Sequence, residues 1–333
     1  MTAQGQTQDA VAALIAARRR DGSRPGARRD PHRLALVIEG GGMRGVIAGG
    51  MVSAIEHLGF VDVFDAVYGT SAGACAGAWL LAGQAVQGTR IFFEDINNPR
   101  FIRLGRALIR RPVLNTDYLI DHVLTDLRPL DVARFLHAPI PLTMMATDVE
   151  SGRPVALRDF ADVGAVMAAL KATTRLPLVG GRPVPGPDGR LLVDGALTAP
   201  LPIDIAEADG ASHILVLSTR PDVTTLDGGP SRGWFARLLA RHVSPAVARA
   251  YLERPLVHGA LLARLSAPQA PGRAFIAVVR PAGRGRKVGK TERRRLRLVG
   301  GAEAGWRAMM RWLDLAMPSP FRRKRIFARK GSS

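Results

Sequence analysis

Two short stretches of this chain combine residue types and spacing that suit nucleophilic chemistry. They are Gly69-Thr70-Ser71-Ala72-Gly73 and Asp194-Gly195-Ala196. A serine on a sharp turn between a strand and a helix has its hydroxyl lifted clear of the sheet, and flanking glycines remove side chains that would collide in the bend. The Ala72 N–H then lies beside the serine, and the helix N-terminus favours negative charge developing there. Asp194 ends an apolar run, Leu191-Leu192-Val193, and is followed by two residues without bulk. Such an acid can approach another backbone closely and accept a serine proton. Each residue also has a plainer reading. A serine at a helix start serves as an N-cap, and an aspartate before glycine suits a turn.

A third stretch, Glu39-Gly40-Gly41-Gly42-Met43-Arg44-Gly45, follows the first apolar run. Consecutive glycines can turn with positive φ and present bare N–H groups to an anion, either a phosphate or an oxyanion. Gly40, Gly42 and Gly45 also satisfy the spacing of a dinucleotide fingerprint, with Asp65 further on. That alternative fails on placement, because the ribose-binding acid belongs at the end of the second strand and Asp65 begins it. Arg44 could pair with a phosphate group or be held in a salt bridge within the scaffold. A Ser-His-Asp triad is the other enzymatic alternative, since His213, His242 and His258 all follow Asp194. Only one strand and one helix precede Ser71, however, fewer than that architecture places before its nucleophile.

The elements around these residues read as an α/β protein. Leu34-Ala35-Leu36-Val37-Ile38 has the continuous apolar character of a buried parallel strand. Helical spacing follows from Val46 to Leu58, then a strand over Asp65–Tyr68 and a helix from Ala72 to about Ala82. Two strand–helix units within about 50 residues predict a doubly wound or three-layer α/β/α sandwich with a mostly parallel sheet. Further strands are predicted at Pro141–Thr147, Pro154–Leu157, Leu191–Val193, His213–Ser218 and Phe275–Arg280. Helices are predicted over Val163–Thr173 and Ala302–Leu315, with Pro112 breaking a basic helical region at 100–127 and Asn115 or Thr116 as a cap.

Composition sets the outer limits. The 333 residues suffice for one large core without staples. A single cysteine, Cys75, excludes an internal disulfide framework and a cysteine-pair metal site. The formal charge of +19 invites a nucleic-acid reading, but only five of the 47 basic residues are lysine and no nucleic-acid-binding motif is present. Nucleic acid is therefore disfavoured as the ligand. The stretch from Ala66 to Thr89 lacks charge, yet its Ala, Gly, Ser and Thr content fits a buried strand–turn–helix better than a membrane span.

The glycine loop, the Gly-x-Ser-x-Gly turn and the Asp-Gly-Ala stretch, in this order, resemble the patatin-like phospholipases. The resemblance covers roughly Leu34 to Ser218 and includes Ala146–Gly152 and Lys171–Pro177. Glu39 stands where many members carry Asp, and Asp-Gly-Ala replaces the commoner Asp-Gly-Gly. The resemblance implies a lipid or acyl-ester substrate, a Ser71–Asp194 dyad without histidine, and no metal or other cofactor. It also implies oxyanion donors from Gly40, Gly41, Gly42, Arg44 and Gly45 together with Ala72. Gly69, Thr70 and Gly73 would shape the elbow, and Gly195 and Ala196 would support the acid. The other function class is a lipid-binding or scaffold protein of the same fold without turnover.

Residues 1–32 are expected to form a short amphipathic helix and a flexible basic lead-in without the apolar core of a secretory signal. A cytoplasmic location follows as an expectation. Residues 33–317 would form the catalytic domain, with the helical 226–271 region as a lid or an acyl-chain groove. The basic 318–333 tail interleaves Arg and Lys with Phe and Ile, a pattern anionic bilayers attract. That tail is read as a peripheral membrane contact or as a solvated end.

Overall fold

The computed structural model describes residues 3–109, 112–221, 232–267, 270–283 and 288–321. Its centre is a sheet of eight strands. Five of them run parallel in the order β3 (Leu142–Asp148), β2 (Ala66–Thr70), β1 (Leu34–Ile38), β7 (His213–Leu217) and β8 (Phe275–Val279). The wholly buried β1, β2 and β7 explain their continuous apolar runs, because helices cover both faces of a parallel sheet. One face packs on a layer of α2 (Val46–His57), α3 (Ala72–Leu81), α4 (Ala85–Glu94), α5 (Val132–Leu136), α6 (Val163–Thr174) and α10 (Arg295–Trp312). The other face, lined by Ala35, Val37, Tyr68, Ile214 and Val216, meets α7 (Ile203–Ala208) and the later part of α9 (Pro245–Ser266). A three-layer α/β/α sandwich results.

The edge beyond β3 positions the chemistry. β4 (Pro154–Leu157) lies antiparallel along one side of β3 for its whole length. On the other side, β2 pairs up to Thr70 opposite Met145. The next residue of β3, Ala146, pairs with Asp194 at the end of the antiparallel strand β6 (Leu191–Asp194). β6 thus takes over where β2 stops, and the two-residue strand β5 (Val184–Pro185) continues from it. Two distant chain segments therefore end side by side, one in Thr70-Ser71 and the other in Asp194.

The lead-in differs from its sequence-based expectation. Ala3–Arg20 forms α1, which packs against β7, β8 and the short turn Val61–Val63. Its last turn buries Arg18, whose guanidinium donates to Asp30, Asp65 and the carbonyls of Val63 and His32. Arg28 reaches Asp65 and the carbonyls of Asp62 and Phe64. Residues 21–33 are thereby held by charge-assisted bonds to β2's approach rather than left as a free linker. Asp65, the residue a dinucleotide reading needed for a ribose, serves here as the acceptor for both arginines and for the Leu34 N–H.

The 100–127 region also differs in detail. Leu104–Ile109 is a tight 3₁₀ segment, and Tyr118–Leu127 is wound with i→i+5 bonds rather than as an α-helix. Asn115 Oδ1 does accept the Tyr118 N–H at 3.1 Å, as a cap residue would. Within the 226–271 region, α8 (Gly233–His242) and α9 form an antiparallel hairpin. Phe321 is buried against Phe93 and Trp306, while the tail from 322 to 333 lies outside the described residues. Among the described residues, no helix is long and apolar enough to cross a membrane.

Candidate active site

Ser71 sits between β2 and α3 with φ 57° and ψ −128°, a region that costs a non-glycine residue about 1–3 kcal/mol. Its backbone is pinned there from below. The Ser71 N–H donates to Thr173 Oγ1 at 2.9 Å, and the Thr173 hydroxyl donates to the Met145 carbonyl at 2.6 Å. α6 and β3 thereby hold the turn in its strained form. The Ser71 hydroxyl donates to Asp194 Oδ2 at 2.7 Å, and both residues are buried.

Asp194 is held as firmly. Its Oδ1 accepts the Ala196 N–H at 2.8 Å, its own N–H donates to the Arg175 carbonyl at 2.9 Å, and its carbonyl accepts from Thr147 Oγ1 at 3.1 Å. Gly195 is required by close approach, because a Cβ there would lie 2.3 Å from the Met145 carbonyl oxygen. Burial pushes the Asp194 carboxyl up to about 6; the bonds from Ala196 and Ser71 and the Lys290 charge offset this only partly. A carboxylate of that basicity remains ionised at neutral pH and is a better proton acceptor than an ordinary one.

The glycine loop comes over this pair from β1. Gly40 packs so closely that a Cβ would lie 2.3 Å from the Thr70 carbonyl oxygen and 3.1 Å from Ser71 Cβ. Gly41 and Gly42 adopt φ values of 153° and 57°. The Met43 N–H donates to the Lys290 carbonyl at 3.0 Å, so it is turned away from the site. The Arg44 N–H is taken by the Gly41 carbonyl at 3.2 Å, and its guanidinium turns to Thr219 Oγ1 (3.0 Å) and Glu39 (3.7 Å). Of its two sequence readings, the scaffold salt bridge matches this geometry. Gly45 backs onto Ala72, so its contribution is packing between the loop and α3. Thr70 is buried with its hydroxyl on the Ala199 carbonyl at 2.7 Å; Gly69 and Gly73 lie against Ala74 and Ile38 respectively.

Glu39 anchors the loop from behind. Its Oε2 accepts from Ser218 Oγ (2.8 Å) and the Thr219 N–H (2.6 Å), and its Oε1 meets Arg220 Nε at 2.8 Å. The buried carboxylate thus ties the end of β1 to the end of β7. Thr173, Ser218, Thr219 and Lys290 are contributors that sequence reading missed. Thr173 lies in a stretch that carried the family resemblance, but the other three act from distant segments with no local signal.

An apolar slot adjoins Ser71, lined chiefly by Met43, Cys75, Trp79, Phe92, Phe101 and Leu119. It is narrow, with about 40 Å³ of open space. No described residue of α8 or α9 lines it. The Cys75 thiol is pushed up to about 12 by burial, with the Asp194 charge adding to the effect, so it stays protonated and packs as an apolar group.

The histidines stand elsewhere in the fold. His213 lies at the start of β7 opposite Leu34, at the end of the parallel strands away from Ser71, between the rings of His32 and Phe275. Burial lowers it to about 4, with the neighbouring His32 and Arg18 acting in the same direction. His258 is buried in α9, and His242 is exposed at the end of α8.

The family model "Patatin-like phospholipase" matches residues 36–207, just over half the chain, and the chain belongs to that family. An uncharacterised NTE family protein of Mycobacterium tuberculosis is 27% identical over 202 residues, which cover 60% of this chain and 51% of that protein. Human patatin-like phospholipase domain-containing protein 6 is 28% identical over 223 residues, covering 64% of this chain and 15% of that protein. The chain thus spans about half the length of the mycobacterial relative and a smaller part of the human one. Among solved structures, VipD from Legionella pneumophila aligns with a TM-score of 0.41 and 13% identity, over 86% of this chain and 67% of that one. Human group IVD cytosolic phospholipase A2 aligns with a TM-score of 0.39 and 11% identity, over 94% and 64%.

Proposed function

We propose that this protein is a serine acyl hydrolase that cleaves carboxylic esters of lipids through a Ser71–Asp194 dyad. The observation that carries the reading is the 2.7 Å bond from Ser71 Oγ, which lines an apolar slot, to a buried, basicity-raised Asp194. Membership of the patatin-like phospholipase family supports the same substrate class.

In this mechanism Ser71 Oγ attacks the ester carbonyl carbon while its proton passes to Asp194 Oδ2. Negative charge gathers on the carbonyl oxygen, where the N–H groups of Gly41, Gly42 and Ala72 receive it, aided by the N-terminal end of α3. Each such donor is worth about 2.7–4 kcal/mol in comparable sites, which an acid–base pair this weakly matched requires. The tetrahedral intermediate collapses, the alcohol leaves with the proton from Asp194, and the acyl group stays on Ser71. Water then attacks the acyl-enzyme, giving its proton to Asp194. The fatty acid departs and Ser71 recovers its proton. The apolar slot suits the acyl chain, and side-chain movement along its walls makes room for it.

The test is hydrolysis of a panel of phospholipids, lysophospholipids, acylglycerols and short-chain aryl esters by the wild-type chain and by Ser71→Ala. The expected result is fatty-acid release from at least one lipid class and a loss on the order of 10³-fold or more with Ser71→Ala. Release that survives Ser71→Ala, or a wild-type chain inert on the whole panel, contradicts the proposal.

A further inference from the structure

The α8–α9 hairpin carries more exposed apolar surface than its packing explains. Its inner side is accounted for: Ala236, Leu239, Val247 and Tyr251 pack on Val149, Val193 and Leu197. Ser244 Oγ donates to the Val149 carbonyl, and the Phe235 and Tyr251 rings lie 5.1 Å apart. Val149 follows the C-terminal end of β3, and Leu197 belongs to the turn after Asp194. The hairpin therefore packs beside the turn after Asp194, on the sheet face opposite the one that carries α3 and the slot.

Its outer side is different. Trp234 and Leu238, one turn apart on α8, are 55% and 39% exposed; Leu252 and Leu256, one turn apart on α9, are 48% and 74% exposed. These residues are interleaved with the exposed arginines Arg237, Arg241 and Arg249, against a single exposed acid on the two helices, Glu253. Large apolar side chains left in water mark an interaction surface. The arginines decide the kind of partner. A symmetric contact with a second copy would bring this basic face against itself, whereas an anionic lipid surface meets both features. Trp favours the headgroup level, and Arg stems lie along apolar surface with their charge in the headgroups.

We propose that the outer face of the α8–α9 hairpin docks on the interface of an anionic bilayer. The purpose of the docking rests on the hydrolase reading, but the binding does not require turnover, so the two can fail separately.

The experiment is co-sedimentation of the full chain carrying Ser71→Ala, which leaves the vesicles intact, with vesicles of phosphatidylcholine alone or mixed with phosphatidylglycerol. Binding to the mixed vesicles is expected, with much weaker binding to phosphatidylcholine. On that background, Trp234→Ala with Leu256→Ala is expected to lower the partition coefficient about tenfold or more. Arg237→Gln with Arg249→Gln should lower it on the order of tenfold for mixed vesicles only. In the chain with Ser71 intact, both pairs should leave hydrolysis of a soluble short-chain ester unchanged. Four results overturn the proposal: no binding to mixed vesicles, equal binding by the variants, binding lost only when residues 319–333 are deleted, or a light-scattering mass of a dimer that Trp234→Ala with Leu256→Ala abolishes.

Discussion

Asp194→Asn is expected to abolish turnover and at the same time make the protein more stable at neutral pH. The loss of activity, on the order of 10³-fold or more in kcat, follows from removing the acceptor of the Ser71 proton while leaving a group of the same shape beside it. The gain in stability follows from linkage. The Asp194 carboxyl lies near 3.8 in the unfolded chain and is raised to about 6 in the fold, chiefly by burial. A carboxyl raised in this direction favours folding most below the unfolded value, and that contribution is lost as pH rises through about 6. Above that range the native state carries an ionised group it would hold more easily as a neutral one. The difference is on the order of 3 kcal/mol, and Asn removes it. Thermal unfolding at pH 8 should therefore show Tm higher by about 5 °C in the variant, with the gap closing below pH 4. A variant that is inactive and also less stable at pH 8 would show that the buried charge supports the fold.

The same group sets the pH profile. The acidic limb of kcat/KM is expected near 6, where Asp194 gains its proton. This value is close to that of an ordinary histidine, so its position alone does not identify the group. His213, held down to about 4, is too weak a base to produce it. Replacing His242 and His258 by Asn should leave the limb in place.

The second large effect is expected at the glycine loop. Gly40→Ala places a Cβ 2.3 Å from the Thr70 carbonyl oxygen, an atom of the main chain with no rotamer by which to yield. The loop must lift away from the elbow, carrying the N–H groups of Gly41 and Gly42 with it. A displacement of about 1 Å at donors that stabilise a transition state costs about 10²-fold. A stability loss of about 1–3 kcal/mol from overpacking should accompany it. Gly300→Ala, in an exposed position of α10 with nothing within 4 Å of its Cβ, is the matched control and should leave kcat unchanged while raising stability by about 0.5–1 kcal/mol, as alanine does in a helix. Steady-state kinetics and urea unfolding on both variants decide the matter. Wild-type kcat in a folded Gly40→Ala protein would remove the loop from the mechanism.

The legible parts of this molecule are those whose cause is local. Continuous apolar runs announced β1 and β7 because burial on both faces leaves no polar alternation. The bend at Ser71 was readable from its glycines, and the end of β6 from Asp194-Gly195. What stayed hidden depends on contacts between distant segments. Nothing around Arg18 signals that it meets Asp65, 47 positions later, so its helix and the following turn read as a basic lead-in. Glu39 looked like a variant of a motif residue, whereas its carboxylate joins β1 to Ser218, Thr219 and Arg220 after β7. The Lys290 carbonyl that takes the Met43 N–H lies some 250 residues away in sequence. The i→i+5 winding of Tyr118–Leu127 follows the same periodic apolar pattern as an α-helix, and periodicity alone does not separate the two.

The central claim is that Ser71 is a nucleophile made reactive by Asp194. Intact-mass spectrometry after reaction with a fluorophosphonate tests it most directly, because the reagent needs the activated hydroxyl and no particular lipid. One phosphonyl adduct on the wild-type chain, localised to Ser71 by peptide mapping, is expected, with none on Ser71→Ala and labelling slowed at least about 10²-fold in Asp194→Asn. An adduct that persists in Ser71→Ala, or that forms on Asp194→Asn at the wild-type rate, would contradict it.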